Sequence, residues 1–575
     1  MKVILSGNEA LARGAYEYGV QVATGYPGTP SSEILENVAK YEEIYSEWST
    51  NEKVAMDVAA DSFFYAVYTG VRGGLVIVVA DDPGMFSSQN EQDNRQYGRF
   101  AKMPVLEPAD SQESKDFIGT ALDLSEEWDT PVLLWTVMRI SHSASPVELG
   151  KRQADDTTPT PPLKRDPHRL VCTCVWAKHQ HPVIEERLKR LAEFANTYPL
   201  NRLEWEGRKL GIVAAGAVYN YAREVFPDAS FLKLGMSYPL PKALIQELAD
   251  GVEQLLVIEE LDPFLEEQIK AMGIDCRGKD VFPSHWELTP TAIEKSAAEA
   301  GILSQEAVKG ARQLALPEQL PGRSPILCPG CPHRSTFYIL GNKMKDVIVA
   351  GGIGCYNLGA LPPFNATDTM GAMGASIGVA HGFDVAGIPD RFTAVIGDSS
   401  FFHAGIAPLL NVVHNGGKGK VVILDNQTTA MTGHQDHPGV AVNLRGEPVT
   451  KVEIEAIVRA FGVTDVHKVD AFDVKAVQKT FKEALAFDGP SVVIVEGPCF
   501  FVGPGATGTY EVDSNVPGRA RFPARSAPGR CGWRGRAAGR PGCRPIPRRR
   551  PATHRPARRR GPLAPAGTLP STPAC

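Results

Sequence analysis

With 575 residues, 43% hydrophobic and 22% charged, the chain is too long for one core, and at ~150 residues per domain three or four units are expected. No run approaches the ~20 apolar residues that a membrane-spanning helix needs, so no membrane association is expected. Charge is uneven: residues 516–575 hold fifteen Arg and no Lys, Asp or Glu, and removing those fifteen positive charges from the total of −6 leaves −21 on the rest. An acidic body of this kind argues against a nucleic-acid partner.

The start, MKVILSGNEALARGAYEYG, reaches Glu9 before any small-residue cleavage site. It reads as a strand followed by a helix, not a signal peptide, and a cytoplasmic protein is expected. Residues 1–155 alternate helix-like stretches with apolar strands such as Leu75–Ala80 and Val132–Thr136, which predicts an α/β layer with a mainly parallel sheet. A polar, Pro-rich stretch at 154–169 cannot pack a core and opens a linker placed at 156–200. A second α/β unit, 201–315, contains LGIVAAG and VEQLLVIEEL. A third, 320–505, contains VIVAGG, FTAVIGD, KVVILDN and SVVIVEG. The tail, 516–575, is nearly all Arg, Pro, Gly and Ala and is expected to be disordered, either as a natural basic tail or as an out-of-frame reading of a GC-rich gene.

Within the third unit, Gly397-Asp398-Ser399 ends one apolar run and Asn426 ends the next. Parallel strands joined by a helix bring such ends to one sheet edge, where ligands collect. A carboxylate, an amide oxygen and the loop carbonyl of Thr428 suit a hard cation such as Mg²⁺, which keeps phosphate oxygens as further ligands. Asp or Asn at a strand end is also ordinary turn chemistry. Upstream, DTMGAMGASIG with Gly371 and Gly374 would let a helix N-terminus approach a diphosphate closely, although small residues equally permit tight helix packing. Ten cysteines are spaced too unevenly for a disulfide framework. Cys328, Cys331, Cys355 and Cys499 could hold zinc, could hold a [4Fe–4S] cluster, or could be buried thiols.

GNEALARGA, ATGYPGTPSSEILE, EWSTNEKVAM, VIVVADDPGMFSSQNEQDNRQYGR, CPGCPHR, GGIGCYNLGALPP, DTMGAMGASIGVAHG and DNQTTAMTGHQDHPG together resemble the large (alpha) subunit of indolepyruvate ferredoxin oxidoreductases. The likeness covers about residues 1–512. It implies a multidomain thiamine-diphosphate-binding α/β fold, with a pyrimidine-binding domain (1–155), a transketolase C-terminal-like domain (201–315) and a diphosphate-binding domain (320–505). It implies oxidative decarboxylation of aryl pyruvates such as indolepyruvate to aryl-acetyl-CoA, with ferredoxin as acceptor, a gamma/beta-type small subunit and a hetero-oligomer.

The implied cofactors are thiamine diphosphate, Mg²⁺ held by Asp398, Asn426 and Thr428, and a [4Fe–4S] cluster on Cys328, Cys331, Cys355 and Cys499. Gly371, Gly374, Gly397 and Ser399 join the cofactor contacts. Glu52 matches the family glutamate that hydrogen-bonds the aminopyrimidine and favours its imino tautomer, whose nitrogen takes the thiazolium C2 proton; otherwise it is a solvated helix carboxylate. Thr29 stands in the place of a substrate-loop threonine. Arg95 is expected either to anchor the 2-oxoacid carboxylate bidentately or to form a surface salt bridge. His333 lies near the thiazolium or is a packed histidine.

Two departures from the family pattern stand out. Sixteen residues separate Glu52 from Thr69, which leaves room for one sheet strand fewer than the pattern has. Cys531, Cys543 and Cys575 fit no C-x₂-C-x₂-C-x₃-C-P run, so the outer electron relay is expected to be absent. The alternatives are another thiamine-diphosphate 2-oxoacid decarboxylase, which needs no cluster, and a non-catalytic, decayed subunit.

Overall fold

The computed structural model describes residues 1–59, 63–153, 165–308, 324–388 and 391–502. The Arg-rich tail and the start of the Pro-rich stretch lie outside them. Ser6 opens the first helix, Gly7–Glu17, with a capping box: its hydroxyl accepts from the Glu9 N–H, and Glu9 reaches back to the Ser6 N–H.

Three parallel-rich sheets organise the chain. In the first, Val76–Asp81, Val132–Val137 and Val105–Leu106 run parallel. Val132–Val137 is buried along its whole length, as expected of a central strand covered on both faces. The fourth strand, Met236–Tyr238, comes from residues assigned to the middle unit and adds antiparallel to Val105–Leu106. The middle sheet has the order Gln254–Val257, Leu210–Ala215, Ser230–Leu234, Arg202–Glu204. One apolar core joins these two sheets, with Leu133 and Trp135 from the first packed in the same cluster as Leu232 and Val257 from the second and Phe264 from the helix Phe264–Ala271.

The third sheet is six-stranded and all parallel, in the order Thr369–Met370, Val347–Gly351, Arg391–Gly397, Lys420–Asp425, Ser491–Glu496, Asp465–Asp470. Separate apolar clusters cover its two faces. The strand Asp465–Asp470, sequence DVHKVD, has no apolar run to announce it. It forms because neighbouring Ser491–Glu496 presents an open edge, and tertiary pairing overrides weak local propensity.

The linker expectation for 156–200 needs correction. Cys174–Phe194 is a helix of 21 residues. Ile184 and Leu191 lie on one face and are buried; Leu191 packs beside Leu124 and Leu134. Helical spacing of apolar residues, not Pro content upstream, decides this stretch.

The N-terminal strands do not form one sheet. Val22–Gly25 pairs only with Tyr45–Trp48 among the described residues, apart from the sheet that ends at Val76–Asp81. The helices Glu52–Ala59 and Phe63–Thr69 follow each other directly, and residues 60–62 lie outside the described residues. Val76–Asp81 is thereby an edge strand whose Val76–Ala80 are only half-buried.

Candidate active site

Asp398 and Asn426 leave the C-terminal ends of adjacent parallel strands, paired up to Gly397 against Leu424. This places both side chains in one pocket at the sheet edge. Asp398 is buried, and one of its oxygens accepts from the Asn426 and Gln427 N–H groups at 3.1 and 2.7 Å. His437 Nε2 stands 3.2 Å from the same oxygen. His437 Nδ1 accepts the Gly439 N–H at 3.0 Å, so the ring proton sits on Nε2 and faces the carboxylate. Burial alone would raise the Asp398 pKa, but the facing imidazole and backbone N–H groups hold it below the usual range.

The Asn426 amide shows what the pocket is shaped for. Its oxygen position lies 2.9 Å from Asp398 Oδ1, 3.3 Å from Asp398 Oδ2 and 3.0 Å from the Thr428 carbonyl oxygen. Rotating the amide by half a turn would make these contacts hydrogen bonds. Turned so that its nitrogen points inward, the amide donates to Asp398 and to the Thr428 carbonyl, which is the orientation the protein's own hydrogen bonding favours; turned the other way, its oxygen would join theirs around a bound cation. Octahedral Mg²⁺ at 2.0–2.1 Å sets neighbouring ligand oxygens about 2.9 Å apart. Asp398, Asn426 and the Thr428 carbonyl therefore fit a small hard cation. No three His, Cys, Asp or Glu side chains among the described residues could share an ion; here the Asp398 carboxylate, with Asp425 beside it, would complete its donor set with an amide and a carbonyl.

A cradle of small residues borders this pocket. The helix Ala375–Val385 begins at Gly374, whose φ of +83° is left-handed. A Cβ there would lie 2.4 Å from the Ala404 carbonyl oxygen, so glycine is required for the helix start to close on the turn after Asp398. At Gly371 a Cβ would lie 2.9 Å from the Ala375 Cβ, and at Gly397 it would lie 3.2 Å from the Tyr356 ring. Ser399 is buried, and its hydroxyl contacts Tyr26 Oη at 2.9 Å and Thr429 Oγ1 at 2.8 Å.

Glu52 comes from the N-terminal segment to the same turn. Its Oε2 is 2.7 Å from His403 Nε2, and Asn51 both caps the Glu52 helix, accepting the Val54 N–H, and donates to the His403 carbonyl. Partial burial alone would raise the Glu52 pKa; the bond to His403 outweighs it and holds the carboxyl below the usual range. Thr29 is exposed in the loop after Val22–Gly25. His333 is buried with neither ring nitrogen hydrogen-bonded among the described residues. Burial pushes its pKa down to about 4, against the opposing pull of nearby Asp398. A neutral, unpartnered imidazole buried near Asp398 is costly unless a ligand meets it.

The carboxylate-anchor role expected of Arg95 is withdrawn. Arg95 is 1% exposed, and its guanidinium meets Asp93 at 2.6 Å, Glu259 at 3.3 Å and Glu107 at 3.7 Å. It also donates to the Glu260 carbonyl and lies over the Trp135 and Phe264 rings. With its donors spent on the protein, it locks the first sheet to the middle unit and has none left for a substrate.

Cys328 and Cys331 share a turn, the Cys331 N–H donating to the Cys328 carbonyl. The Cys499 N–H bonds the Asn426 carbonyl, which sets this cysteine against the cation pocket. Burial, then the other three thiols, push Cys355 up to about 12, and burial does the same to Cys331, up to about 11. The four thiols thus share one neighbourhood.

Residues 352–495, the stretch that carries Asp398 and Asn426, match the family described as "Thiamine pyrophosphate enzyme, C-terminal TPP binding domain". The chain is 40% identical over 544 residues to indolepyruvate oxidoreductase subunit IorA of Methanothermobacter thermautotrophicus, covering 87% of each chain. The Methanothermobacter marburgensis subunit is 42% identical over 545 residues, again covering 87% of each. The chain belongs to the indolepyruvate oxidoreductase IorA family. It is also 24% identical to 2-oxoglutarate synthase subunit KorA of M. thermautotrophicus over 44% of this chain and 86% of that one. A 2-oxoglutarate:ferredoxin oxidoreductase structure from Magnetococcus marinus matches 48% of this chain and 61% of its own at 15% identity, with a TM-score of 0.38.

Membership makes this an α/β, thiamine-diphosphate-binding subunit of a 2-oxoacid oxidoreductase. No helix among the described residues is long and apolar enough to cross a membrane. Tyr26, His403 and His437 enter the site without having been singled out from the sequence. His403 lies just past the Gly-Asp-Ser motif, on the helical turn that the motif begins, and that position was the available signal.

Proposed function

We propose that this chain is the cofactor-bearing subunit of an enzyme that oxidatively decarboxylates aryl pyruvates such as indolepyruvate to aryl-acetyl-CoA, passing electrons to ferredoxin. The observation that carries this reading is the placement of Asp398, Asn426 and the Thr428 carbonyl together at adjacent strand ends, beside the turn that Glu52 reaches. Asp398, Asn426 and the Thr428 carbonyl would hold Mg²⁺, and the Gly371–Gly374 helix start and Gly397 would line the diphosphate. When bound, thiamine diphosphate supplies a nucleophilic carbon and an electron sink.

Each residue has a definite task. Glu52 offers a carboxylate oxygen to the aminopyrimidine. His333, neutral and unpartnered, offers a ring nitrogen within the pocket. Thr29, exposed on its loop, meets the 2-oxoacid. Cys328, Cys331, Cys355 and Cys499 would hold a [4Fe–4S] cluster. A Cys328–Cys331 pair joined by Cys355 and the distant Cys499 is unlike the compact spacing of a zinc ribbon, which favours the cluster. A gamma/beta-type small subunit, CoA and ferredoxin complete the reaction in a cytoplasmic hetero-oligomer.

Anaerobic purification with the small subunit, followed by viologen reduction with indolepyruvate and CoA, tests this reading. Reduction that needs both substrates, with about four irons per chain, is expected. Cofactor-replete protein that reduces no dye would refute it; reduction without iron would point to a different acceptor.

A further inference from the structure

Three groups of the N-terminal segment converge on one turn of the thiamine diphosphate domain. Asn51 Nδ2 donates to the His403 carbonyl at 3.0 Å, the Tyr26 ring lies 4.5 Å from the His403 imidazole, and His403 Nε2 stands 2.7 Å from Glu52 Oε2. The turn, Phe401–Gly405, is π-helical and continues from Asp398–Ser400; such wide turns are rare and gather at functional sites. Gly374, pressed against Ala404, supports it from behind.

The two partners are held unequally. The His403 side chain is 14% exposed and that of Glu52 is 71% exposed. A glutamate this open would ordinarily sample several rotamers, and the bond to a packed imidazole confines it. His403 Nδ1 is buried with no hydrogen-bond partner among the described residues. A proton there would be buried unbonded, so the fitting form is neutral, with its hydrogen on Nε2 directed at Glu52. The bond occupies Oε2 and leaves Oε1 for another partner.

We propose that His403 is a positioning residue for Glu52, a neutral imidazole donor that fixes the carboxylate across the domain boundary so that its second oxygen meets the aminopyrimidine. This rests on the reading above that Glu52 faces the cofactor. His403 touches neither substrate nor reacting atoms; it removes the rotamer freedom that cofactor binding would otherwise have to remove.

The test is equilibrium binding of thiamine diphosphate with Mg²⁺ to the full chain, together with the near-ultraviolet circular-dichroism band of the imino tautomer. His403→Ala is expected to weaken thiamine diphosphate binding ~10-fold or more, the scale of a hydrogen bond to a charged group, and to diminish the imino band. His403→Gln, which keeps a donor, restores much of both. Magnesium pyrophosphate, which does not engage Glu52, should bind all variants alike. His403→Phe keeps a ring against Tyr26 without the donor and serves if the Ala variant does not fold. In a double-mutant cycle with Glu52→Gln the losses should not multiply. Wild-type affinity and imino band in both donor-free variants would overturn the proposal, as would losses that multiply or a parallel loss of pyrophosphate binding. Wild-type protein that binds pyrophosphate but no thiamine diphosphate would instead overturn the reading of Glu52 itself, and the proposal with it.

Discussion

Two of the buried charged pockets among the described residues are built on opposite principles. Around Arg95, carboxylates from Asp93, Glu107 and Glu259 surround one guanidinium, and the aromatic faces of Trp135 and Phe264 close over it. Around Asp398, the Asn426 amide, backbone N–H groups and the His437 ring surround a carboxylate that has no Lys or Arg partner among the described residues. The first pocket is complete in itself. The second is arranged for something that the polypeptide does not supply. A buried charge ringed by ion-pair partners is structure; a buried carboxylate at a strand end with no Lys or Arg to neutralise it is a candidate site.

That contrast can be broken at either pocket. The largest effect is expected at the second: Asp398→Asn should abolish Mg²⁺-dependent thiamine diphosphate binding in calorimetry while leaving the cofactor-free protein folded, because a carboxylate with no Lys or Arg partner is removed. A melting temperature that falls as far as that of a core variant would mean that Asp398 is structural after all. At the first pocket, Arg95→Met should destabilise the fold by about 3–5 kcal/mol by stranding buried carboxylates, read as a shift in urea midpoint. The folded fraction should keep its KM for the 2-oxoacid; a large rise in KM would restore the carboxylate-anchor role.

Mg²⁺ with thiamine diphosphate should raise the stability of the wild type, by about 2.7 kcal/mol at a hundred times the dissociation constant, and leave that of Asp398→Asn unmoved. The smallest effect is on pH dependence. Burial pushes Glu259 and Glu260 up to about 7, above the usual 4.5 or so of an unfolded glutamate. Between those values the folded protein binds more protons than the unfolded chain, so these two groups make stability fall as pH rises. Glu260→Gln should flatten that part of the slope between about pH 5 and pH 7 in urea titrations; an unchanged slope would show that Glu260 is ionised throughout.

Much of the architecture was legible because it is local. The apolar runs around Val132, Leu210, Val347, Val395, Val422 and Val493 are strands, and they needed only their own periodicity to be seen. The helix Cys174–Phe194 rests on the spacing of Ile184 and Leu191, a signal that the Pro-rich, polar composition upstream obscures. Asp465–Asp470 was missed because nothing within it is apolar enough to mark a strand; its neighbour makes it one.

What the sequence determined by itself was the α/β class with mainly parallel sheets, the strand-end placement of Asp398 and Asn426, and the family. These depend on near neighbours in the chain and on motifs whose spacing is a local matter. Only the tertiary structure decided that Arg95 is enclosed by Glu107 and Glu259, that His437 faces Asp398, and that Glu52 finds His403 across 351 residues. Charge and hydrogen bonding act through space within a few ångströms, and a linear sequence does not reveal which distant side chains folding will bring that close.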